Sequence, residues 1–305
     1  MYLNETLFDE CAKLAHRGRA PGKLWHYTTL EALVGIAEKG HLFLSSYNFM
    51  NDPSEGQHAP SLLTDCWRSA VDQFIGPLRI ERDYLRDTTR ALSNHGEYSP
   101  HVPETFLASF SPRPDSLSQW ARYAGDGNGV ALGFEVDVSS LALPPADRNW
   151  WNGPFLCEVL YDWTAAADHA DLASAKGAAT QRLSVELSSL LRRFLPTVGS
   201  STEADNALFD MVHTLAPLVK HAGYHEESEW RIVATTSAES TALYHFRAGR
   251  FGLTPYLKLP LGAGIKLTDI TLGPKLSDAN RWSVAWLCRK HGIEAAIAPS
   301  ALAYR

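Results

Sequence analysis

The chain has 305 residues, of which 45% are hydrophobic and 20% charged, as expected of an ordinary soluble globular protein. Its formal net charge of −6 and pI near 6.0 argue against non-specific binding to nucleic acid or anionic membranes. Four scattered cysteines without a C-x-x-C pair favour a reducing compartment over a disulfide framework or a zinc site. The sequence has neither a secretory signal nor an apolar run of about 20 residues, so we expect a cytoplasmic protein without a membrane partner.

Hydrophobic periodicity predicts an α+β fold in one domain spanning residues 1–305. Residues 1–20 have the apolar spacing of a short amphipathic helix. The next segment, "KLWHYTTLEALVGIAEKGHLFLSS", predicts a strand, a helix and a strand. Within it, Thr28 and Glu31 form a capping box that begins the helix, and Gly40 ends it.

The rest of the chain alternates between predicted strands and helices. The strands are "ETFLASFSP", "VALGFEVD", "EWRIVATT", "TPYLKLPL" and "LTDITLG", and the helices include "DSLSQWARYA" and "DANRWSVAWLCRKHG". Residues 61–93 and about 165–220 also have helical spacing. We interpret the range of about 165–220 as a helical insertion on a β-rich framework.

Two motifs of low specificity favour turns rather than binding sites. Gly125, Gly127 and Gly129 follow a predicted helix and precede a strand, which is the reverse of a dinucleotide-binding fingerprint. His221 and His225 have a spacing found in zinc sites, but no third ligand is suggestively placed. We therefore expect no metal.

Candidate functional residues lie on two predicted strands. In "LWHYTT", His26 is either a core histidine or a functional group on one strand face. In "LASFSP", Ser109 and Ser111 alternate onto one face, where they either bond to the backbone or line a site. Neither stretch decides between its alternatives on its own.

The strongest local signal is "HEESEWRIV", which places three glutamates immediately before a predicted strand. Strand alternation puts Glu227, Glu229 and Arg231 on one face, opposite Trp230 and Ile232. Carboxylates crowded beside an arginine suit a site where charge develops during a reaction. A surface strip of salt bridges explains the pattern equally well.

Four stretches taken together resemble a known family. These are "LWHYTTLEALVGIAEKGHLFLSSYNFMNDPSEG", "FLASFSPRPDSLSQWARYAGDGNGVALGFE", "HEESEWRIV" and "IAPSALAYR". In this order, from about residue 23 to residue 305, they resemble the bacterial domain-of-unknown-function 2971 family. The specific feature is the combination of H-Y-T, N-D-P-x-E, S-F-S with W-x-x-Y, and E-x-E-W-R. That family resembles a distant branch of the ADP-ribosyltransferase superfold, whose split pair of β-sheets binds NAD in a cleft.

The resemblance implies a role for each matching residue. The implied NAD-binding residues are His26, Tyr27, Thr28, Tyr47, Ser109, Ser111 and Trp120. Among them, His26 is expected to hydrogen-bond the ribose or amide side of NAD, and Tyr47 to stack on nicotinamide. Ser109 and Ser111 resemble the paired serines of the arginine-modifying branch.

The resemblance also implies that Glu227 and Glu229 are the catalytic E-x-E pair. Cleavage of the nicotinamide–ribose bond passes through an oxocarbenium-like state, which Glu229 would stabilise while Glu227 serves the acceptor. NAD is then a substrate, and the implied activity is that of an ADP-ribosyltransferase or NAD glycohydrolase, as in a toxin or defence effector. The acceptor stays open, nucleic acid included. The alternative is a non-catalytic NAD-sensing or partner-binding module with the same fold.

Overall fold

The computed structural model describes residues 21–50, 104–143, 150–162, 216–236, 240–249 and 252–303. The chain forms two compact units. Of the described residues, 47–50, 104–105, 158–162 and 216–225 belong to the first unit and the remainder to the second. The predicted single domain stays a prediction, and the helices predicted for residues 1–20 and 61–93 lie outside the described residues.

The first unit contains a parallel pair of short strands, β6 (Leu160–Asp162) and β7 (Val219–His221). A buried 3-10 helix, Ala216–Leu218, leads directly into β7. The helical insertion predicted for about 165–220 falls outside the described residues except for this end. This end is 3-10 helical up to Leu218 and continues as β7, and the insertion itself stays a prediction.

The second unit contains a four-stranded sheet. Its strands, in spatial order, are β1 (Leu24–Thr28), β4 (Val130–Val136), β11 (Ile265–Leu272) and β12 (Ala296–Pro299). β4 pairs antiparallel with both β1 and β11, whereas β12 pairs parallel with β11 at the edge. The turn at residues 125–128 leads into β4, as the glycine spacing predicts.

A six-stranded sheet completes the β-structure. Its strands, in spatial order, are β5 (Trp150–Glu158), β8 (Trp230–Thr236), β3 (Glu104–Phe110), β2 (His41–Ser46), β10 (Gly252–Pro260) and β9 (His245–Gly249). β2 pairs antiparallel with β3 and with β10, and β10 pairs antiparallel with β9. With the helices described next, these sheets confirm the predicted α+β class.

Three α-helices lie among the described residues: α1 (Leu30–Lys39), α2 (Leu117–Tyr123) and α3 (Asp278–Lys290). α1 ends at Gly40, whose φ of 67° is left-handed, as predicted. Its N-cap is Thr29, whose hydroxyl accepts from the N–H of Ala32 at 3.2 Å. The prediction of Thr28 as the cap is therefore wrong by one residue, since Thr28 still pairs with Val130 in β1. No helix in the described part of the chain is long and apolar enough to cross a membrane.

One hydrophobic core draws on both sheets and on α1 and α3. Among its buried members are Leu24, Leu33, Leu42, Leu44, Phe106, Ala108, Phe110, Leu132, Trp230, Ile232, Ala234, Leu257, Leu259 and Val284. In β2, β3 and β8 the core residues are the even-numbered ones, so the odd-numbered residues point to the other side of the six-stranded sheet. We call this side the distal face. It carries Phe43, Ser45, Ser109 and Arg231.

Candidate functional site

The first strand is joined to the end of β3 by backbone hydrogen bonds. Trp25 and Ser111 exchange N–H···O bonds of 2.7 and 2.8 Å. This bridge brings the Nδ1 of His26 to 2.9 Å from the carbonyl oxygen of Ser109. A carbonyl only accepts, so Nδ1 carries the proton and donates, and Nε2 presents a lone pair. The H-Y-T and S-F-S motifs, over 80 residues apart in sequence, therefore meet in the fold.

Burial keeps His26 in its neutral form. Desolvation lowers the pKa of its imidazole, the bond to Ser109 opposes this effect, and the positive charge of Arg247 lowers the pKa further. The ring is half-buried and tilted against Phe110, with centroids 5.8 Å apart. At neutral pH, His26 is thus fixed as a hydrogen-bond acceptor through Nε2.

Ser109 carries a buried polar atom without a partner. Among the buried side-chain nitrogen and oxygen atoms of the described residues, only this Oγ and the Nε2 atoms of His41 and His291 make no hydrogen bond. An unbonded buried hydroxyl costs about 1–3 kcal/mol of stability. A ligand that donates to or accepts from this hydroxyl would remove that penalty, so Ser109 is a candidate ligand contact.

Ser111 has a different role from Ser109. Its Oγ donates to the carbonyl oxygen of Glu227 at 3.2 Å and accepts from the N–H of Arg113 at 3.3 Å. Both bonds lie within the protein, and the side chain is 2% exposed. Ser111 therefore anchors the segment before β8 to the end of β3, so only Ser109 of the pair is available as a ligand contact.

Glu227 ends a 3-10 helix, Ala222–Glu227, and its side chain is almost fully buried. Its Oε1 accepts from Nη1 of Arg122 at 2.8 Å and from the hydroxyl of Tyr123 at 2.8 Å. The predicted strand alternation through Glu227 is wrong, because Ser228 adopts a left-handed φ of 47° and β8 begins only at Trp230. The turn at Ser228 gives the two glutamates separate cationic partners.

Glu229 forms a buried bidentate ion pair with Arg231. Nε and Nη2 of the guanidinium donate to the two carboxylate oxygens at 2.7 and 3.1 Å. The two residues are 4% and 0% exposed. The alternative of a surface salt-bridge strip is therefore wrong, because this carboxylate is held inside the protein. Nearby, burial raises the pKa of Cys157 to about 12, so its thiol is not a nucleophile.

Tyr27 lies on the face of β1 opposite His26, where it contacts Trp120 and the segment that follows β3. The Tyr27 hydroxyl donates to the carbonyl oxygen of Arg113 and accepts from the N–H of Ser116, both at 2.9 Å. Its ring meets Trp120 edge-on, with centroids 4.8 Å apart. Trp120 is fully buried, and its indole N–H donates to Asp115 at 2.6 Å. A fully enclosed ring cannot touch a bound nucleotide without displacing its neighbours, so the predicted NAD contact of Trp120 is not supported.

The two remaining predicted cofactor contacts are Thr28 and Tyr47. Thr28 closes β1 through its backbone pairing. Tyr47 belongs to the first unit, where its hydroxyl donates to the carbonyl oxygen of Ala216 at 3.2 Å. Its stacking on nicotinamide stays a prediction. His221 and His225 bond locally to the backbone, and no group of three metal-ligating side chains occurs in the described ranges.

The cluster also includes three residues for which we predicted no role: Arg122, Tyr123 and Asp115. Arg122 and Tyr123 bind Glu227. Tyr123 is the tyrosine of the W-x-x-Y motif, so only this one of the two could have been found from the sequence. Asp115 accepts from Trp120, and also from the hydroxyl of Ser300 and the N–H of Ala301 at 2.7 Å each. The terminal motif "IAPSALAYR" is thereby tied to the same cluster.

The two serines should respond in opposite ways to substitution. Ser109→Ala removes a buried hydroxyl that has no partner, so the free energy of unfolding should stay constant or rise by up to about 1 kcal/mol. Ser111→Ala breaks two internal hydrogen bonds and should lower it by about 1–2 kcal/mol. Urea unfolding of both variants measures the difference. A larger loss of stability in Ser109→Ala than in Ser111→Ala would contradict the assignment of the two serines.

The neutral state of His26 predicts a pH-dependent stability. Folding lowers its pKa below the usual 6.5, so the unfolded chain binds the proton more readily. Its stabilising effect is present above about pH 6.5 and is lost as the pH falls through the window below that value. His26→Asn keeps a donor near Ser109 but does not titrate. Below about pH 6.5, the free energies of unfolding of wild type and variant, measured with urea, should therefore diverge by up to about 1.4 kcal/mol per pH unit. The same pH dependence in both proteins would contradict the neutral assignment.

Comparison with known proteins adds one finding. Residues 119–232 match the family model described as Protein of unknown function (DUF2971). Comparisons with curated proteins and with solved structures found no match. The matched segment contains the W-x-x-Y and E-x-E-W-R motifs and the partners that join them, and it supports the DUF2971 family for this part of the chain.

Proposed function

We propose that the protein is an NAD-consuming enzyme of the ADP-ribosyltransferase type, with its reactive centre at His26, Ser109 and Glu229. The observation that carries the proposal is the unpartnered Oγ of Ser109, a residue whose backbone carbonyl oxygen accepts a hydrogen bond from the neutral His26. Ser109 of β3 and Arg231 of β8 lie on neighbouring strands and point to the same face of the sheet, and Glu229 immediately precedes β8. The two sheets of the second unit are compatible with a split-sheet fold.

This set of groups suits a ribose ring. Ribose hydroxyls both donate and accept hydrogen bonds, Nε2 of His26 accepts, and Oγ of Ser109 does either. Neither group carries a charge at neutral pH, which suits a neutral sugar better than a phosphate. A bound ribose would also give Ser109 the hydrogen bond that it lacks.

Glu229 supplies the negative charge that the reaction needs. As the bond from C1′ to the nicotinamide nitrogen breaks, its electron pair leaves with nicotinamide and positive charge grows on the ribose. An ionised carboxylate close to the ribose hydroxyls stabilises that charge, and the Arg231 pair keeps the carboxylate rigid and ionised. Each carboxylate oxygen accepts more than one hydrogen bond, so the ion pair is compatible with contact to a hydroxyl.

The new bond to C1′ comes from an acceptor nucleophile, which loses its proton, or from water in a glycohydrolase. The contacts of Glu227 suit a positioning role. Arg122 and Tyr123 both bind its Oε1 and fix the turn that leads to Glu229. In this proposal Glu227 acts on the acceptor through Arg122, whose side chain is 47% exposed.

One observation favours a second candidate, a non-catalytic nucleotide sensor. The Arg231 guanidinium offsets the charge of Glu229, and a neutralised carboxylate stabilises a developing cation less well. A sensor of this kind would bind NAD on the same residues without breaking it.

Labelled NAD distinguishes these functions. Purified protein is incubated with NAD labelled in nicotinamide or in adenylate, with and without a cell lysate. Transfer releases nicotinamide and moves the adenylate label onto an acceptor, whereas hydrolysis yields free ADP-ribose. Binding without release identifies the sensor, and absence of both binding and release overturns both candidates.

A further inference from the structure

Aromatic rings cluster on the distal face along β2, β10 and β9. Phe43 and Tyr256 have centroids 4.0 Å apart and an interplanar angle of 31°. His41 lies 5.4 Å from Phe43, and His245 lies 5.6 Å from Tyr256. The strand register explains the cluster, since Tyr256 is opposite both Ser45 of β2 and His245 of β9. Flat rings on a sheet form a platform on which a nucleobase stacks.

Positive charge surrounds these rings. The guanidinium of Arg247 lies 5.9 Å from the centroid of Phe43 and donates to Oγ of Ser45 at 3.0 Å. Lys258 is directly opposite Phe43 in the register. In the described part of the chain neither cation has an acidic partner, although the protein carries a net charge of −6. Two unpaired cations beside aromatic rings favour a phosphorylated ligand.

His41 contributes an acceptor with no partner. Its Nδ1 donates to the carbonyl oxygen of Lys39 at 2.9 Å, and its Nε2 is buried and unbonded. Burial lowers the pKa of His41, the bond to Lys39 opposes this, and the charges of Lys258, Lys39 and His245 lower it further. Nε2 therefore presents a lone pair, which an amino group satisfies and a carbonyl does not.

Arg247 connects this platform to the centre of the proposed reaction. The positive charge of Arg247 contributes to the lowered pKa of His26. Ser109 also points to the distal face, on the strand next to β2. A ligand that begins at Ser109 and extends across β2 meets the ring of Phe43 and the guanidinium of Arg247 beside that ring.

We infer that the distal face along β2, β10 and β9 binds the adenosine diphosphate half of a dinucleotide. The base stacks on Phe43, its amino group donates to Nε2 of His41, and Arg247 and Lys258 bind the phosphates. This inference rests on the proposed function, because it extends the substrate outward from the ribose at His26. It assigns a substrate-binding role to four residues that the reaction itself does not use.

Calorimetry with ADP tests this assignment without requiring catalysis. The double variant Arg247→Ala, Lys258→Ala should bind ADP at least about 10-fold more weakly than wild type, because two charge-assisted contacts are lost. Lys266→Ala, which removes an exposed lysine from β11 of the other sheet, is the matched control and should change affinity by less than about 2-fold. Equal ADP affinity in the double variant and wild type would overturn the inference, as would a complete lack of ADP binding.

Inosine diphosphate tests the contact of the base, because a carbonyl replaces the amino group of adenine. Wild type should prefer ADP by about 10-fold, and His41→Leu should remove that preference. Equal affinity of wild type for the two nucleotides would remove His41 from the site. The two proposals fail separately: ADP binding without nicotinamide release rejects only the enzyme, and release that does not depend on Arg247 and Lys258 rejects only this binding site.

A second inference comes from α3, whose outer side exposes two tryptophans. Trp282 and Trp286 are 66% and 63% exposed, whereas Val284 and Cys288 of the same helix are buried in the core. The tryptophans are four residues apart and therefore lie next to each other on the helix surface. Exposed tryptophans in adjacent positions are typical of the centre of a protein–protein interface.

The charges at the two ends of this stripe are self-complementary. Asp278 precedes Trp282 by four residues, and Lys290 follows Trp286 by four. If two copies of α3 cross antiparallel about a twofold axis, Trp282 faces Trp286 of the second copy and Asp278 faces Lys290. We infer that this surface of α3 binds a second copy of the chain. The helix is about 20 Å long, so the interface is small and the dimer should have a micromolar dissociation constant.

Sedimentation velocity over a concentration series tests the dimer. Replacing both tryptophans by serine should weaken association at least about 10-fold. Asp278→Lys and Lys290→Asp should each weaken it, because each places like charges opposite one another, and their combination in one chain should restore it. Circular dichroism of each variant shows whether α3 still folds. A monomer at every concentration, or a dimer insensitive to the tryptophans, would overturn the inference.

Discussion

Glu229→Gln is expected to lower the free energy of unfolding by about 3–5 kcal/mol. The substitution preserves the shape of the side chain but removes its charge. Arg231 is 0% exposed, so its guanidinium would stay buried without the carboxylate that now accepts two of its hydrogen bonds. Urea unfolding followed by circular dichroism measures the change.

Two further variants make this expectation specific. Glu226 is exposed, and Glu226→Gln should change stability by less than about 0.5 kcal/mol. Glu229→Gln combined with Arg231→Met removes both charges and should recover most of the lost stability, since uncharged pairs often replace buried ion pairs without loss. A single Glu229→Gln variant as stable as wild type would mean that the ion pair does not support the fold.

The combined variant also gives the largest expected effect on function. Glu229→Gln with Arg231→Met should be folded, yet lose NAD cleavage by about 100-fold or more, because a group that stabilises the developing cation is missing. NAD binding should fall much less than turnover, as it does when an interaction acts mainly in the transition state. Binding is measured by calorimetry and cleavage by nicotinamide release, under the same conditions.

Restoring stability is what makes this test informative. Glu229→Gln alone would lose activity whether the residue is catalytic or only structural, because the site would be destabilised. In the combined variant a structural role predicts that cleavage recovers with stability, whereas a catalytic role predicts that it does not. Recovery to near the wild-type rate would therefore reject the catalytic assignment of Glu229.

The local structure near the N-terminal strand was predictable because its signals are short-range. The strand, helix and strand before Ser46 follow from hydrophobic spacing, and Gly40 ends the helix through its left-handed φ. The cap was misassigned because two threonines stand side by side. Thr29 is the cap because it directly precedes the first helical residue and its hydroxyl accepts from Ala32, whereas Thr28 still pairs in β1.

The motifs that meet in the fold were predictable from the resemblance, but the hydrogen bonds that join them were not. We predicted a site at His26, Ser109 and Glu229, with the two glutamates as one pair on one strand. The left-handed turn at Ser228 separates the two glutamates. Serine seldom adopts this conformation, so the sequence pattern did not predict the turn. Arg122, one partner of Glu227, lies 105 residues away in sequence, and only the tertiary fold brings such residues into contact.

Burial likewise separated residues that the motifs grouped together. Ser109 and Ser111 alternate in sequence, but only the hydroxyl of Ser111 meets partners inside the protein. Trp120 belongs to the same motif set as His26, but it is fully enclosed while His26 is only half-buried. Motif membership therefore identified the cluster, and the hydrogen-bond partners decided which members support it and which are able to meet a ligand.

The release of nicotinamide from NAD tests the central claim most directly. Purified wild-type protein and the combined Glu229→Gln, Arg231→Met variant are compared at equal concentrations of folded protein. We predict release by wild type above the protein-free rate, and release at least about 100-fold slower by the variant. Wild-type release no faster than in buffer, or equal release by both proteins, would contradict the account.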